Sequence, residues 1–280
     1  MLSYRHAFHA GNFADVLKHL VLVKILDHLN KKTKPWCGID THAGPGDYLL
    51  TSEYALKNRE FDNGIGLLWQ RQDLPDAVAA YVDIIKRFNA DGNLNRYPGS
   101  PLFIQQFLRA HDRLFLYELH PSEIPLLSAT VSRDQRIKTG HGDGLSAAIG
   151  LLPPKEHRGF VLIDPAYELK DDYQRVVETL SHYYQRFATG TFALWYPVVE
   201  RRRNQQLERA IQNAGLKNVQ LYELGIQADS NGFGMTASGM IVVNPPWTLA
   251  ADLQNTLPYL AETLGIDAQG HYRITTLVDE

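Results

Sequence analysis

Cysteine is almost absent from the chain: Cys37 is the single one in 280 residues. One thiol can neither close an internal disulfide nor build a cysteine-based zinc site, and this scarcity points to a reducing, cytoplasmic setting. Excess charge is missing as well. The 28 basic and 31 acidic residues leave a net of −3, which excludes a binder held to nucleic acid by uniform positive charge. No uncharged run approaches the roughly 18 residues of a membrane span. The opening Met1-Leu2-Ser3-Tyr4-Arg5-His6 has no apolar leader core. There is no internal repeat, no low-complexity tract and no Ser/Gly linker. What is present is apolar: 44% hydrophobic residues suffice for a buried core. The length fits one large α/β domain, and by itself would also fit two small ones.

Charge is unevenly spread. Residues 1–34 carry Arg5, Lys18, Lys24, Lys31, Lys32 and Lys34 against Asp15 and Asp27, a net of +4, so the remainder carries −7. Residues 223–280 hold seven acids against Arg273, a net of −6. The basic segment reads either as a helix with a solvated basic face or as a contact surface for polyphosphate or nucleic acid. His6-x-x-His9 has no carboxylate or cysteine at ligand spacing beside it, so no metal is expected.

Asn12 precedes apolar residues recurring every three or four positions from Phe13 to Leu29, which predicts a capped helix ended by Pro35. After it, seven strand candidates alternate with helices, near 35–40, 114–118, 135–139, 159–164, 191–196, 218–225 and 239–243. Such alternation predicts an α/β fold, a mostly parallel seven-stranded sheet with helices on both faces. Residues 48–98 read as a small helical insertion within a single domain spanning 1–280.

In an open parallel sheet, ligands collect at the carboxyl ends of the strands. Asp40 ends the first strand and leads into Gly44-Pro45-Gly46, a turn that lets backbone approach a ligand closely. It is neither a dinucleotide fingerprint, having Leu49 at the third glycine position, nor a phosphate loop, lacking Gly-Lys-Ser/Thr. Glu118 ends the next strand, where an acid can accept both hydroxyls of a ribose. Asp143 sits in His141-Gly142-Asp143-Gly144, placed to accept an adenine amine. Asp164-Pro165-Ala166-Tyr167 follows the most apolar strand, and an acid there is costly unless it has a partner or a task. The Asp164 carboxylate and the Pro165 carbonyl can converge on the exocyclic amine of a planar base. Tyr167 would stack on that base once it is extruded from its helix.

These residues resemble a class I S-adenosylmethionine-dependent methyltransferase acting on an adenine amine. Longer segments resemble the bacterial 23S ribosomal RNA adenine-N6 methyltransferase J family over essentially the whole chain. They include Tyr4-Arg5-His6, Asp15-Val16-Leu17-Lys18-His19, Asp40-Thr41-His42-Ala43-Gly44, Tyr97-Pro98-Gly99-Ser100-Pro101 and Ala193-Leu194-Trp195-Tyr196-Pro197. The resemblance implies a Rossmann-like sheet, S-adenosylmethionine as cofactor and ribosomal RNA as partner, with a monomeric, cytoplasmic enzyme. It implies that Asp164 is catalytic. It also implies that His19, His42, Ser100, Glu118, Asp143, Gly144 and Asp164 line the cofactor site, with Lys18 nearby. Tyr4, followed by Arg5 and His6, would reach the RNA. Ala166 stands where the family's motif usually has a second proline, which implies some loss of rigidity. A second tetrapeptide, Asn244-Pro245-Pro246-Trp247, fits that motif better but follows the last strand candidate. DNA adenine methylation, and a non-catalytic nucleic-acid-binding protein on the same scaffold, are the alternatives.

Overall fold

The computed structural model describes residues 5–168, 171–229 and 234–280. Its first long element, α1 (Phe13–Asn30), starts where the sequence places it. The Asn12 side chain accepts from the amides of Ala14 and Asp15, each at 3.0 Å. Such a cap stabilises a helix by about 1 kcal/mol. The basic-face reading of this helix is corrected by the structure. Nearly all of α1 is buried, because it lies between the sheet on one side and the helices Asp76–Arg87, Ser100–Gln105 and Leu249–Leu264 on the other. A helix covered all round needs apolar residues all round. Lys18 points inward to carboxylates and Lys24 pairs with Asp252 at 2.9 Å, so only Lys31, Lys32 and Lys34, just past the helix, stay exposed.

The main sheet contains β1 (Cys37–Asp40), β4 (Arg113–Glu118), β5 (Ile137–His141), β6 (Gly159–Ile163), β7 (Thr191–Val198), β8 (Val219–Gly225), β9 (Ala237–Val243) and β10 (His271–Val278). Their order across the sheet is β10-β8-β9-β7-β6-β1-β4-β5. The five strands from β7 to β5 are parallel, and the β7–β9, β9–β8 and β8–β10 pairs are antiparallel. The expected seven strands are all present and the count rises to eight. The added strand, β10, pairs antiparallel with β8, so it needs no crossover helix to announce it.

Residues 47–98 hold a two-stranded ribbon of β2 (Asp47–Leu49) and β3 (Arg96–Pro98) enclosing α2 (Glu53–Asn58), α3 (Ile65–Leu68) and α4 (Asp76–Arg87). The α5 helix (Ser100–Gln105) follows directly, and α6 (Ile124–Val131) leads from β4 to β5. One core lies on the α1 face with α4, α5, α6 and α10 (Leu249–Leu264). The other is built on the opposite face with α7 (Gly144–Ile149), α8 (Asp172–Arg186) and α9 (Arg201–Gln212). Among the described residues, no helix is long and apolar enough to cross a membrane.

Candidate active site

Because β1, β4 and β6 are adjacent and parallel, their final acids Asp40, Glu118 and Asp164 converge on one edge of the sheet. A cavity of about 280 Å³ opens there. Of the residues the sequence singles out, Lys18, His19, His42, Gly44, Ser100, Glu118, Asp164 and Pro165 line it, and Arg5 and His6 stand at its border. A second cavity, of about 350 Å³, lies beside the first and takes in Tyr167, Tyr173 and Trp195. Lys18, Asp164, His6 and Ala166 border both. Asp164 therefore stands in the partition between a glycine-loop chamber and an aromatic chamber.

The glycine turn meets its neighbouring strand directly. Glu118 accepts from the Gly44 amide at 2.8 Å and from the His120 amide at 2.6 Å. Gly44 has φ +59°, and a Cβ there would come within 2.4 Å of the Tyr48 hydroxyl. Only glycine suits both the left-handed backbone and that close approach. Asp40 is fully buried beneath the loop, accepting from the Ser100 hydroxyl at 2.6 Å and the His42 amide at 3.2 Å. Burial pushes its carboxyl up to about 7, against the pull of those two donors. Burial also lowers the His42 imidazole to about 4, so it is neutral at pH 7.

The Asp40 shift has a testable sign. An acid with a raised folded pKa keeps its proton in the native state where the unfolded chain has released it. Stability therefore falls as pH rises from the ordinary carboxylate range to about 7. Asp40→Asn removes that dependence, so in thermal unfolding the variant gains on the parent as pH rises from 5 to 7 and no further beyond about 8. A gap that stays constant across this range would refute the assignment.

On the α1 side, His19 is buried with its ring stacked on Phe103, centroids 4.6 Å apart. Its Nδ1 meets the Tyr97 hydroxyl at 2.7 Å, and that hydroxyl meets Tyr81 at 3.0 Å. Burial holds this imidazole well below the ordinary histidine range. Its Nε2 is buried and has no hydrogen-bond partner among the described residues. His19 is thus a neutral ring at the cavity wall, one nitrogen of which is hydrogen-bonded to Tyr97.

Lys18 is buried too. Its Nζ lies 2.6 Å from Asp164 Oδ2 and 2.7 Å from Asp15 Oδ1. Burial works against the ammonium, but the two carboxylates outweigh it and hold Lys18 protonated. Asp15 in turn accepts from His6 Nε2 at 2.8 Å and from the Gly11 amide at 2.9 Å. Asp15 is buried, yet His6 and Lys18 keep it ionised, well below its usual range.

Three expected residues stand elsewhere. Tyr167 faces the aromatic chamber: its hydroxyl donates to the Trp195 carbonyl at 2.8 Å and its ring packs on Tyr173 at 4.5 Å. Asp143 caps α7 through the Leu145 amide and pairs with Arg175, which does line the first cavity. Gly144 is a packing glycine, since a Cβ there would meet the Thr41 carbonyl oxygen at 2.1 Å. Tyr4 lies outside the described residues. The strand-end reading passed over Asp15 and Arg175, which bind Lys18 and Asp143, because neither ends a strand.

The second tetrapeptide is at the other end of the molecule. Because β9 runs antiparallel to β7, its exit at Asn244 lies beside Thr191, where β7 begins. The Asn244 amide donates to the Ala188 and Gly190 carbonyls, each at 2.8 Å. Asn244→Ala removes these bonds at a residue with φ +49°, and is expected to cost about 1–3 kcal/mol of stability. Thermal unfolding and cofactor titration check this. Loss of cofactor affinity without loss of stability would contradict it.

An open sheet with its cavity at the carboxyl ends of β1, β4 and β6 defines the class I methyltransferase fold. The model of the family described as ribosomal RNA large subunit methyltransferase D, RlmJ, matches residues 33–278, and the chain belongs to that family. It is 47% identical over 281 residues to ribosomal RNA large subunit methyltransferase J of Haemophilus influenzae, covering all of both chains. To the Escherichia coli K12 protein of the same name it is 47% identical over 280 residues, again covering all of both. A crystal structure of protein LPL1258 from Legionella pneumophila is similar, with a TM-score of 0.89 and 36% identity. That likeness covers 96% of this chain and 98% of the other.

Proposed function

We propose that the protein methylates the exocyclic N6 amine of an adenine in 23S ribosomal RNA, with S-adenosylmethionine as the methyl donor. The observation that carries this reading is the position of Asp164, in the partition between a glycine-loop chamber and an aromatic chamber. Family membership and two full-length relatives named as ribosomal RNA methyltransferases support it.

The first chamber suits the cofactor. Glu118 would take the ribose hydroxyls, the Gly44 backbone would allow close approach, and the free His19 Nε2 and the Ser100 hydroxyl would meet its polar amino-acid end. Arg175 and Asp143 would close the adenine end. Bound there, S-adenosylmethionine supplies an electrophilic methyl group. The chain's own task is to make a weak nucleophile react. The lone pair of adenine N6 is delocalised into the ring, and positive charge grows on the nitrogen as it attacks. Asp164 and the Pro165 carbonyl accept hydrogen bonds from the amine and stabilise that charge. Lys18 fixes Asp164 in place through the 2.6 Å ion pair. Tyr167, Tyr173 and Trp195 offer apolar faces to a base taken out of its stack.

Mass spectrometry of ribosomal RNA from cells lacking the gene tests the reading. One N6-methyladenine is expected to vanish and to return with the gene. An unchanged RNA profile beside altered DNA adenine methylation would overturn it.

A further inference from the structure

The Asn244-Pro245-Pro246-Trp247 segment and the Lys31–Lys34 turn are unused by the chemistry above, yet they meet. They border a groove of about 690 Å³ on the edge of the sheet opposite the active site. Gly159, at the start of β6, lies in this groove, and Asp164, just past the end of β6, lies in the other. At about 3.3 Å per residue the two sites are roughly 17 Å apart through the sheet.

We propose that this groove is a second RNA-binding site, which holds a single-stranded segment of the substrate away from the reacting adenine. The proposal rests on the RNA reading above and extends it. Trp247 is 81% exposed. A large apolar side chain left in water loses burial energy, and here the turn holds it there: Asn244 is anchored to two carbonyls and two prolines follow. Beside the indole stand four cations, with the Lys31 ammonium 6.0 Å from its ring and Lys32, Lys34 and Arg158 lining the groove.

None of the four makes an ion pair within 4.0 Å among the described residues; Asp27 acts on Lys31 and Asp112 on Arg158 only from farther off. Arg158 donates instead to the Lys34 carbonyl, at 2.7 Å, and to the Leu29 carbonyl. Arg109 donates to the carbonyls of Lys32 and Lys34, at 2.7 and 3.0 Å. Two guanidinium groups thus fix the backbone of the turn while its lysine side chains stay exposed. Among the described residues, Glu280 is the one acid lining the groove. An exposed indole flanked by cations free of close ion pairs matches the two demands of a nucleic acid strand, a base to stack and phosphates to neutralise. An acidic peptide would use the cations but would leave the indole idle.

Trp36 and Trp69 are buried, so the quench assigned to Trp247 is the part lost in Trp247→Ala, distinct from any at half-buried Trp195 in the aromatic chamber. A single-stranded oligouridylate of about ten nucleotides is expected to quench the fluorescence of the full-length protein. Lys32→Gln with Lys34→Gln should weaken that binding about tenfold and reduce the salt slope by about one to two. Trp247→Ala should abolish that part of the quench and raise KM for deproteinised large-subunit RNA about tenfold with kcat unchanged, and Trp247→Phe should restore most of the loss. No quench, equal quenching by polyglutamate, or a KM unmoved in every variant would overturn the proposal. If oligouridylate binds as described but no RNA is methylated, the methylation reading fails and the groove stands. If RNA is methylated with a KM indifferent to these substitutions, the groove proposal alone fails.

Discussion

Asp164→Ala is expected to lower kcat for methyl transfer by at least about a thousandfold, while affinity for S-adenosylmethionine falls only severalfold. Two features of the site separate the effects. Asp164 borders both chambers, so it can reach the amine that gains charge during attack. The groups proposed to hold the cofactor, namely Glu118, the Gly44 backbone, Ser100 and His19, make their hydrogen bonds without its side chain. Charge stabilisation needed only in the transition state appears in kcat and not in ground-state binding. Single-turnover kinetics beside calorimetric titration of the cofactor would separate the two. A variant that keeps a tenth of the parental rate would remove Asp164 from its catalytic role.

Lys18→Met is expected to be the most destabilising single change at the site, at about 3–5 kcal/mol. The ammonium bridges two carboxylates, and Asp15, Lys18 and Asp164 are all partly or fully out of water. Removing the cation leaves two like charges facing each other in a medium that solvates them poorly. Adding Asp15→Asn to Lys18→Met removes one of the stranded charges, so the double variant should recover part of the lost stability. Thermal unfolding of the two singles and the double reads this coupling directly. Strictly additive losses would mean that the three groups do not act as one ionic cluster.

The fold was legible where local pattern and tertiary demand agree. β6 is apolar at every position because helices cover both faces, and a continuous apolar run is what such a strand requires. The site was legible where strands end, since a lone acid after an apolar strand is conspicuous. β10 escaped notice because His271–Val278 mixes polar and apolar residues on a half-exposed edge strand, a pattern shared with surface segments. The true partners of Lys18 were hidden for a different reason. Asp164 lies 146 residues away, and no sequence spacing reveals that a lysine on an apolar helix turns inward. The charge gradient was real but misplaced. Of its six cations, Lys18 and Lys24 neutralise acids within the fold, Arg5 borders the first cavity, and Lys31, Lys32 and Lys34 gather beyond the end of α1 at the far edge of the sheet.

The central claim is tested most directly by incubating the purified protein with S-adenosylmethionine labelled in its methyl group. The acceptor is large-subunit ribosomal RNA from cells lacking the gene, digested afterwards to nucleosides for identification. The account predicts label in N6-methyladenosine alone, near one methyl group per RNA molecule, and none with Asp164→Ala. Label in any other nucleoside, or equal incorporation by the Asp164→Ala protein, would contradict it.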